Sequence, residues 1–120
     1  MLGIESRGFI IGAPVAYRLG VGFAIARKPG KLPFRTVEES YELEYGSAAL
    51  QLHEDALAQG KRVLIVDDLL ATGGTALAAI RLARRLGAAL VGCAFVIELD
   101  FLKGRERLAP VDCTSLINYG

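Results

Sequence analysis

The sequence predicts an α/β fold, a mostly parallel, twisted sheet with helices on its faces. Three observations carry that expectation. Val63-Leu64-Ile65-Val66 is an unbroken β-rich run, as in a strand covered on both sides. Segments of strand and helix character alternate along the chain, which favours parallel pairing through crossovers. Apolar residues make up 52% and charged residues 22% of 120 residues, the composition of one compact domain rather than a disordered chain.

Each element can be justified in turn. Leu2-Gly3-Ile4 reads as the tail of a sheet strand, and Gly8 to Leu19 as a short helix ended by Gly20 and Gly22. Phe23 to Ala26 forms a small apolar run that suits a buried strand. Arg27 to Glu39 holds two prolines, a glycine, four basic residues and two acids, which predicts a mobile loop. Alternation from Tyr41 to Leu52 predicts a hairpin with one wet face, turning at Gly46-Ser47. Arg62 to Val66 begins the strongest strand, followed by a turn from Leu69 to Gly74. Thr75 is placed to cap a helix reaching about Leu86, with Ala76, Ala79, Ile80, Ala83 and Leu86 as its apolar stripe. Gly87 ends that helix. Leu90 to Leu99 is a second buried strand, Lys103 to Leu108 a short helix, and Thr114 to Asn118 a last strand.

Several function classes drop out. Fourteen Lys plus Arg against thirteen Asp plus Glu leave a formal charge of +1, so neither nucleic acid nor an anionic membrane is an expected partner. The longest charge-free stretches, Leu69 to Ile80 and Leu86 to Ile97, have twelve residues each, against about twenty needed to span a bilayer. No secretory signal is visible, and Cys93 and Cys113 read as two buried thiols rather than a disulfide. One histidine and no cysteine cluster argue against a zinc site. A cytoplasmic location is the expectation.

The chemistry concentrates in Val63 to Thr75. A buried strand delivers Asp67 and Asp68 to its C-terminal end, where ligands bind in open α/β sheets. Ala71-Thr72-Gly73-Gly74-Thr75 carries little side-chain bulk, so its N–H groups can close around an anion at a helix N-terminus. No Lys-Ser or Lys-Thr follows the glycines and no GxGxxG is present, which excludes the nucleotide P-loop and the dinucleotide fingerprint. A single phosphate fits the loop. The two acids suit sugar hydroxyls, or a hydrated magnesium held mainly through substrate and water near Asp67 and Asp68. The competing reading is a plain strand-to-helix turn.

The Val63 to Thr75 segment resembles the phosphoribosyl pyrophosphate motif of type I phosphoribosyltransferases. Four further segments, in the right order, resemble the adenine-specific branch of that family. They are Gly3 to Phe9, the basic turn Arg27 to Pro33, the hairpin Ser40 to Gly46, and Glu98-Leu99 with Leu102 to Arg105. The resemblance implies the type I phosphoribosyltransferase fold with a flexible catalytic loop and hairpin at about 28–53, all within one domain, 1–120. It implies transfer of a 5-phosphoribosyl group from phosphoribosyl pyrophosphate to adenine, giving AMP and pyrophosphate in purine salvage, with Mg2+. Ala71, Thr72, Gly73, Gly74 and Thr75 would hold the phosphate, with Asp67 and Asp68 on the sugar. Arg7 would share the pyrophosphate with nearby amides. Arg27 and Lys31 would serve a partner subunit's site in a homodimer, although a solvated face explains the Arg27, Lys28, Lys31 and Arg35 cluster equally simply.

Glu44 and Tyr45 stand at the hairpin tip. A hairpin lid would keep water from the electron-poor ribosyl carbon, and Glu44 would exchange a proton with the purine. Glu42 and Glu44 read otherwise as the wet face of a hairpin. His53 is expected as a strand-end surface residue. The family also suggests a cis peptide bond at Glu5–Ser6. Its members carry a substantial segment before the Gly3-like position that sandwiches the adenine. The expectation is therefore an N-terminally shortened member in which the donor-binding half is present. A phosphoribosyltransferase for another purine, an inactive donor-binding fragment and a regulator are the alternatives; the last lacks any visible DNA-binding element.

Overall fold

The computed structural model describes residues 1–43 and 46–120, apart from the Leu43 side chain. In chain order the elements are β1 (Leu2–Ile4), α1 (Arg7–Leu19), β2 (Ala24–Ala26), β3 (Thr36–Leu43), β4 (Gly46–His53), β5 (Arg62–Leu70), α2 (Gly74–Arg85), β6 (Ala89–Leu99), a 3-10 turn (Asp100–Leu102), α3 (Gly104–Leu108) and β7 (Cys113–Tyr119). Five strands form one sheet in the order β2-β1-β5-β6-β7, every neighbour parallel. β3 and β4 form a separate antiparallel hairpin.

The strand order decides where a ligand can sit. From β1 the chain crosses outward to β2 through α1, and from β5 it crosses the opposite way to β6 through α2. With the right-handed crossovers such connections take, α1 and α2 cover opposite faces. The order therefore reverses between β1 and β5, and a crevice opens beyond their C-terminal ends.

β5 has Val63, Ile65 and Val66 buried, and α2 buries Ala76, Ala78, Ala79, Ile80, Leu82 and Ala83 against the sheet and hairpin. Leu50 and Leu52 of β4 join that core, together with Leu2, Ile4 and Leu108. α1 packs differently. Its buried residues are Gly8, Gly12 and Ala16, a stripe at four-residue spacing that lets the helix backbone approach β1 and β5 closely.

Several boundaries depart from the sequence reading. β5 runs on to Leu70, so Asp67 and Asp68 lie on the strand's C-terminal stretch as expected, while Leu69 and Leu70 are strand residues and the turn begins at Ala71 rather than Leu69. Arg27 to Glu39 is not loop throughout, because β3 starts at Thr36. The hairpin turn is not at Gly46-Ser47, because Gly46 and Ser47 are strand residues that pair with Leu43 and Glu42. Thr75 is not the cap of α2. That helix starts at Gly74, after Gly73 in a left-handed conformation, with no side-chain cap. Cys113 is half-buried, not buried; it and Cys93 are both free thiols, register partners on β6 and β7. His53 ends β4 as expected but is half-buried, with Nε2 lacking a hydrogen-bond partner among the described residues. The Glu5–Ser6 peptide bond is cis, as the sequence reading anticipated. Among the described residues, no helix is long and apolar enough to cross a membrane.

Candidate active site

A cleft of about 180 Å³ opens at the point where the strand order reverses. It is lined by Arg7, the first residue of α1, and by the continuous stretch Asp67 to Ala76. Arg7, Asp67, Asp68, Ala71, Thr72, Gly73, Gly74 and Thr75, all singled out from sequence, thus meet in one place. They come from two chain segments brought together by β1 pairing with β5.

The floor is built for an anion. The N–H groups of Gly74, Thr75 and Ala76, in the first turn of α2, have no acceptor four residues back, and the first intrahelical bond is Leu77 N–H to the Gly73 carbonyl, 2.9 Å. Neither a capping side chain nor an acid in the first turn competes for those donors. The helix dipole adds partial positive charge at the same point.

The acids stand at the rim. Arg7 Nε lies 2.8 Å from Asp68 Oδ2, with the Arg7 side chain 71% exposed. Asp67 is oriented locally, since its Oδ1 accepts the Asp68 N–H at 2.9 Å. Burial pushes the Asp67 carboxyl well above the usual carboxylate range. The Asp68 amide and the Arg7 charge pull it down, while the neighbouring Asp68 carboxyl adds to the rise. A protonated Asp67 and a paired Asp68 repel an incoming phosphate less than two free carboxylates would.

Arg27 and Lys31 lie elsewhere, at Glu5. Arg27 Nε is 3.1 Å and Lys31 Nζ 2.6 Å from the Glu5 carboxylate, and the Lys28 N–H donates to it at 3.0 Å. The Glu5 side chain is only 6% exposed. Burial alone would raise its pKa, but the Lys31, Lys28 and Arg27 donors bring it down to about 2. Sequence reasoning missed this carboxylate. An isolated acid facing a basic turn twenty-odd residues later is a charge match that only folding reveals. Glu44 and Tyr45 lie outside the described residues. The hairpin of β3 and β4 packs on α2, where Arg85 Nη1 donates to the Glu38 carbonyl and pairs with Glu39 at 3.4 Å. A second cleft of about 420 Å³ between hairpin and helix shares Gly74 with the first.

Among the described residues, no group of three or more His, Cys, Asp or Glu is arranged for a metal ion. Two adjacent carboxylates beside the unsatisfied N–H groups that open α2 do fit magnesium, which keeps most of its water and is usually held by one or two acids together with phosphate oxygens.

The comparisons agree with this geometry. A family model described as phosphoribosyl transferase domain matches residues 1–118. The adenine phosphoribosyltransferase of Acidobacterium capsulatum is 58% identical over 119 residues, covering 99% of this chain and 66% of that protein. The crystal structure of adenine phosphoribosyltransferase from Thermoanaerobacter pseudethanolicus superposes with a TM-score of 0.97 at 53% identity, over 98% of this chain and 69% of that one. The Saccharomyces cerevisiae enzyme, crystallised with adenine and an imino-altritol bisphosphate, gives 0.93 at 48% identity, over 96% and 65%. The chain spans about two thirds of the length of these relatives. Matched along nearly its whole length, it belongs to the phosphoribosyl transferase domain family, in the branch of the adenine phosphoribosyltransferases.

Proposed function

We propose that this chain carries out the reaction of its branch, joining the ribosyl carbon of phosphoribosyl pyrophosphate to adenine N9 and releasing pyrophosphate. The observation that carries the reading is the cleft at the strand-order reversal, where the uncapped start of α2 faces Arg7 and two carboxylates.

In this reading the amides and hydroxyls of Ala71, Thr72, Gly73, Gly74 and Thr75 hold the donor's 5-phosphate. Asp67 and Asp68 accept hydrogen bonds from the ribose hydroxyls, and Arg7 leaves Asp68 for the pyrophosphate. Magnesium, when bound beside Asp67 and Asp68, neutralises charge on the leaving pyrophosphate. The ribosyl carbon–oxygen bond to pyrophosphate breaks, the carbon–N9 bond forms, and the N9 proton leaves. Glu44 and Tyr45 are the proposed lid residues, with Glu44 taking part in the proton's transfer.

A homodimer in the cytoplasm belongs to the same proposal, with Arg27 and Lys31 reaching the partner's pyrophosphate. Glu5 holds that pair in one place beside the start of α1. A light-scattering mass of two chains supports the dimer, and a mass of one chain at assay concentration contradicts it.

Turnover tests the reaction. Incubation with phosphoribosyl pyrophosphate, Mg2+ and adenine is expected to yield AMP and pyrophosphate in equal amounts, with guanine and hypoxanthine giving far less. Donor binding without AMP formation would replace transfer by a donor-binding role, the outcome that a chain two thirds the length of its relatives makes worth separating.

A further inference from the structure

The sequence segment Glu98 to Arg105 carried part of the family resemblance, yet neither residue lines the cleft. Their contacts point to a different task. Glu98, near the end of β6, is 4% exposed, and in register it lies between Leu70 of β5 and Asn118 of β7. Its carboxylate accepts from Arg105 Nε at 3.2 Å and Nη2 at 2.6 Å, from Ser115 Oγ at 2.6 Å and from Asn118 Nδ2 at 3.3 Å. Arg105 also donates to the Cys113 carbonyl. A buried carboxylate with this many donors is fixed, and the two-pronged guanidinium contact fixes Arg105 with it.

Arg105 follows Gly104, and Gly104 is where α3 meets the anion loop. A Cβ on Gly104 would run into the Ala71 carbonyl oxygen and would lie 2.9 Å from Leu70 Cδ1 and 3.2 Å from the Gly73 nitrogen. Conversely, a Cβ on Gly73 would lie 3.0 Å from the Gly104 carbonyl oxygen. The two glycines are pressed backbone to backbone, so the position of α3 sets the position of Ala71 to Gly73.

We propose that Glu98 and Arg105 are positioning residues: their ion pair clamps α3 so that Gly104 props the Ala71 to Gly73 loop in its anion-receiving conformation. The proposal rests on the donor-site reading for its kinetic consequence, but the prop itself can be measured without donor. A purely structural pair would affect how much protein folds and leave the loop of the folded fraction unchanged.

The test compares the parent chain with Arg105→Ala, Arg105→Lys and the milder Ser115→Ala, which keeps the ion pair and removes one donor should Arg105→Ala fail to fold. One readout is amide exchange of Leu77, whose N–H is bonded to the Gly73 carbonyl, against Val66 inside β5. The other is the KM for phosphoribosyl pyrophosphate against kcat. Arg105→Ala is expected to speed Leu77 exchange by about tenfold with Val66 unchanged, a local opening. It should raise the donor KM by about tenfold with kcat nearly kept. Arg105→Lys should fall between parent and alanine, and Ser115→Ala should move both readouts in the same direction by less. Unchanged Leu77 exchange in the folded variants, or equal acceleration at Leu77 and Val66, overturns the proposal. If the parent chain binds no donor, the functional reading fails, while the exchange comparison still decides the prop.

Discussion

Gly73→Ala is expected to weaken binding of phosphoribosyl pyrophosphate by at least about a hundredfold. Gly73 sits at φ +90°, where an L residue pays about 1–2 kcal/mol. The added Cβ would also press on the Gly104 carbonyl oxygen at 3.0 Å and Cα at 3.3 Å, backbone atoms held by the α3 clamp. The strain is relieved most readily by turning the Ala71 to Gly74 peptides, the groups proposed to hold the 5-phosphate. A hydrogen bond to a charged group is worth about 1.5–3 kcal/mol, so misdirecting two costs about 3–6 kcal/mol, or roughly two to four powers of ten in affinity. Gly73 is buried, but it belongs to the loop rather than to the hydrophobic cluster of sheet and α2, so the loop is expected to shift before the fold is lost. Donor affinity within threefold of the parent would show that these amides do not carry the phosphate.

Gly8→Ala should damage both stability and site. The new Cβ would meet the Val66 carbonyl oxygen, a backbone atom, at 2.8 Å and Asp67 Oδ1, which already accepts the Asp68 N–H, at 3.1 Å. α1 would have to lift from β5. Overpacking of this kind costs about 1–3 kcal/mol, and for a domain of this size that lowers Tm by roughly 5–15 °C. Because the displaced atoms belong to Asp67 and its strand, donor binding should weaken even in the fraction that stays folded. Scanning calorimetry with and without donor separates the two effects. An unshifted Tm would mean that α1 does not sit as close to β5 as described.

Much of the site was legible because its residues are contiguous. Asp67 to Thr75 form one strand-loop-helix passage, and small residues before a helix have a physical meaning that needs no partner. What the residues concealed was the end of β5. The small, glycine-containing stretch up to Gly74 suggested a turn that opened at Leu69, directly after the two acids, whereas pairing with β6 continues through Leu69 and Leu70. The hairpin was misjudged for a related reason. Val37-Glu38-Glu39-Ser40 is mostly polar, with one side of β3 facing water, and its approach through Pro29, Gly30 and Pro33 looked like loop. Gly46 suggested a turn, yet it pairs with Leu43 as the first residue of β4. Thr75 suggested a cap, but the left-handed Gly73 starts α2 without one, and that leaves the first-turn donors free.

Charge pairs across the fold were not legible at all. Glu5 with Arg27 and Lys31, and Glu98 with Ser115 and Asn118, join segments that parallel strand pairing brings together, while Arg105 meets Glu98 because the chain turns back through the 3-10 turn into α3. Periodicity says which face of an element is buried, not which buried acid meets which base. The parallel sheet, its central strand and its ligand edge could therefore be reasoned from one sequence, and the clamps that hold them could not.

The central claim is that the Asp67 to Thr75 cleft holds the phosphoribosyl donor. Calorimetric titration of the chain with phosphoribosyl pyrophosphate and Mg2+, run beside Gly73→Ala, tests it most directly. Saturable one-site binding by the parent, lost or weakened by about a hundredfold in the variant, is the predicted result. A folded parent that takes up no donor, or a variant that binds as tightly as the parent, would contradict the account.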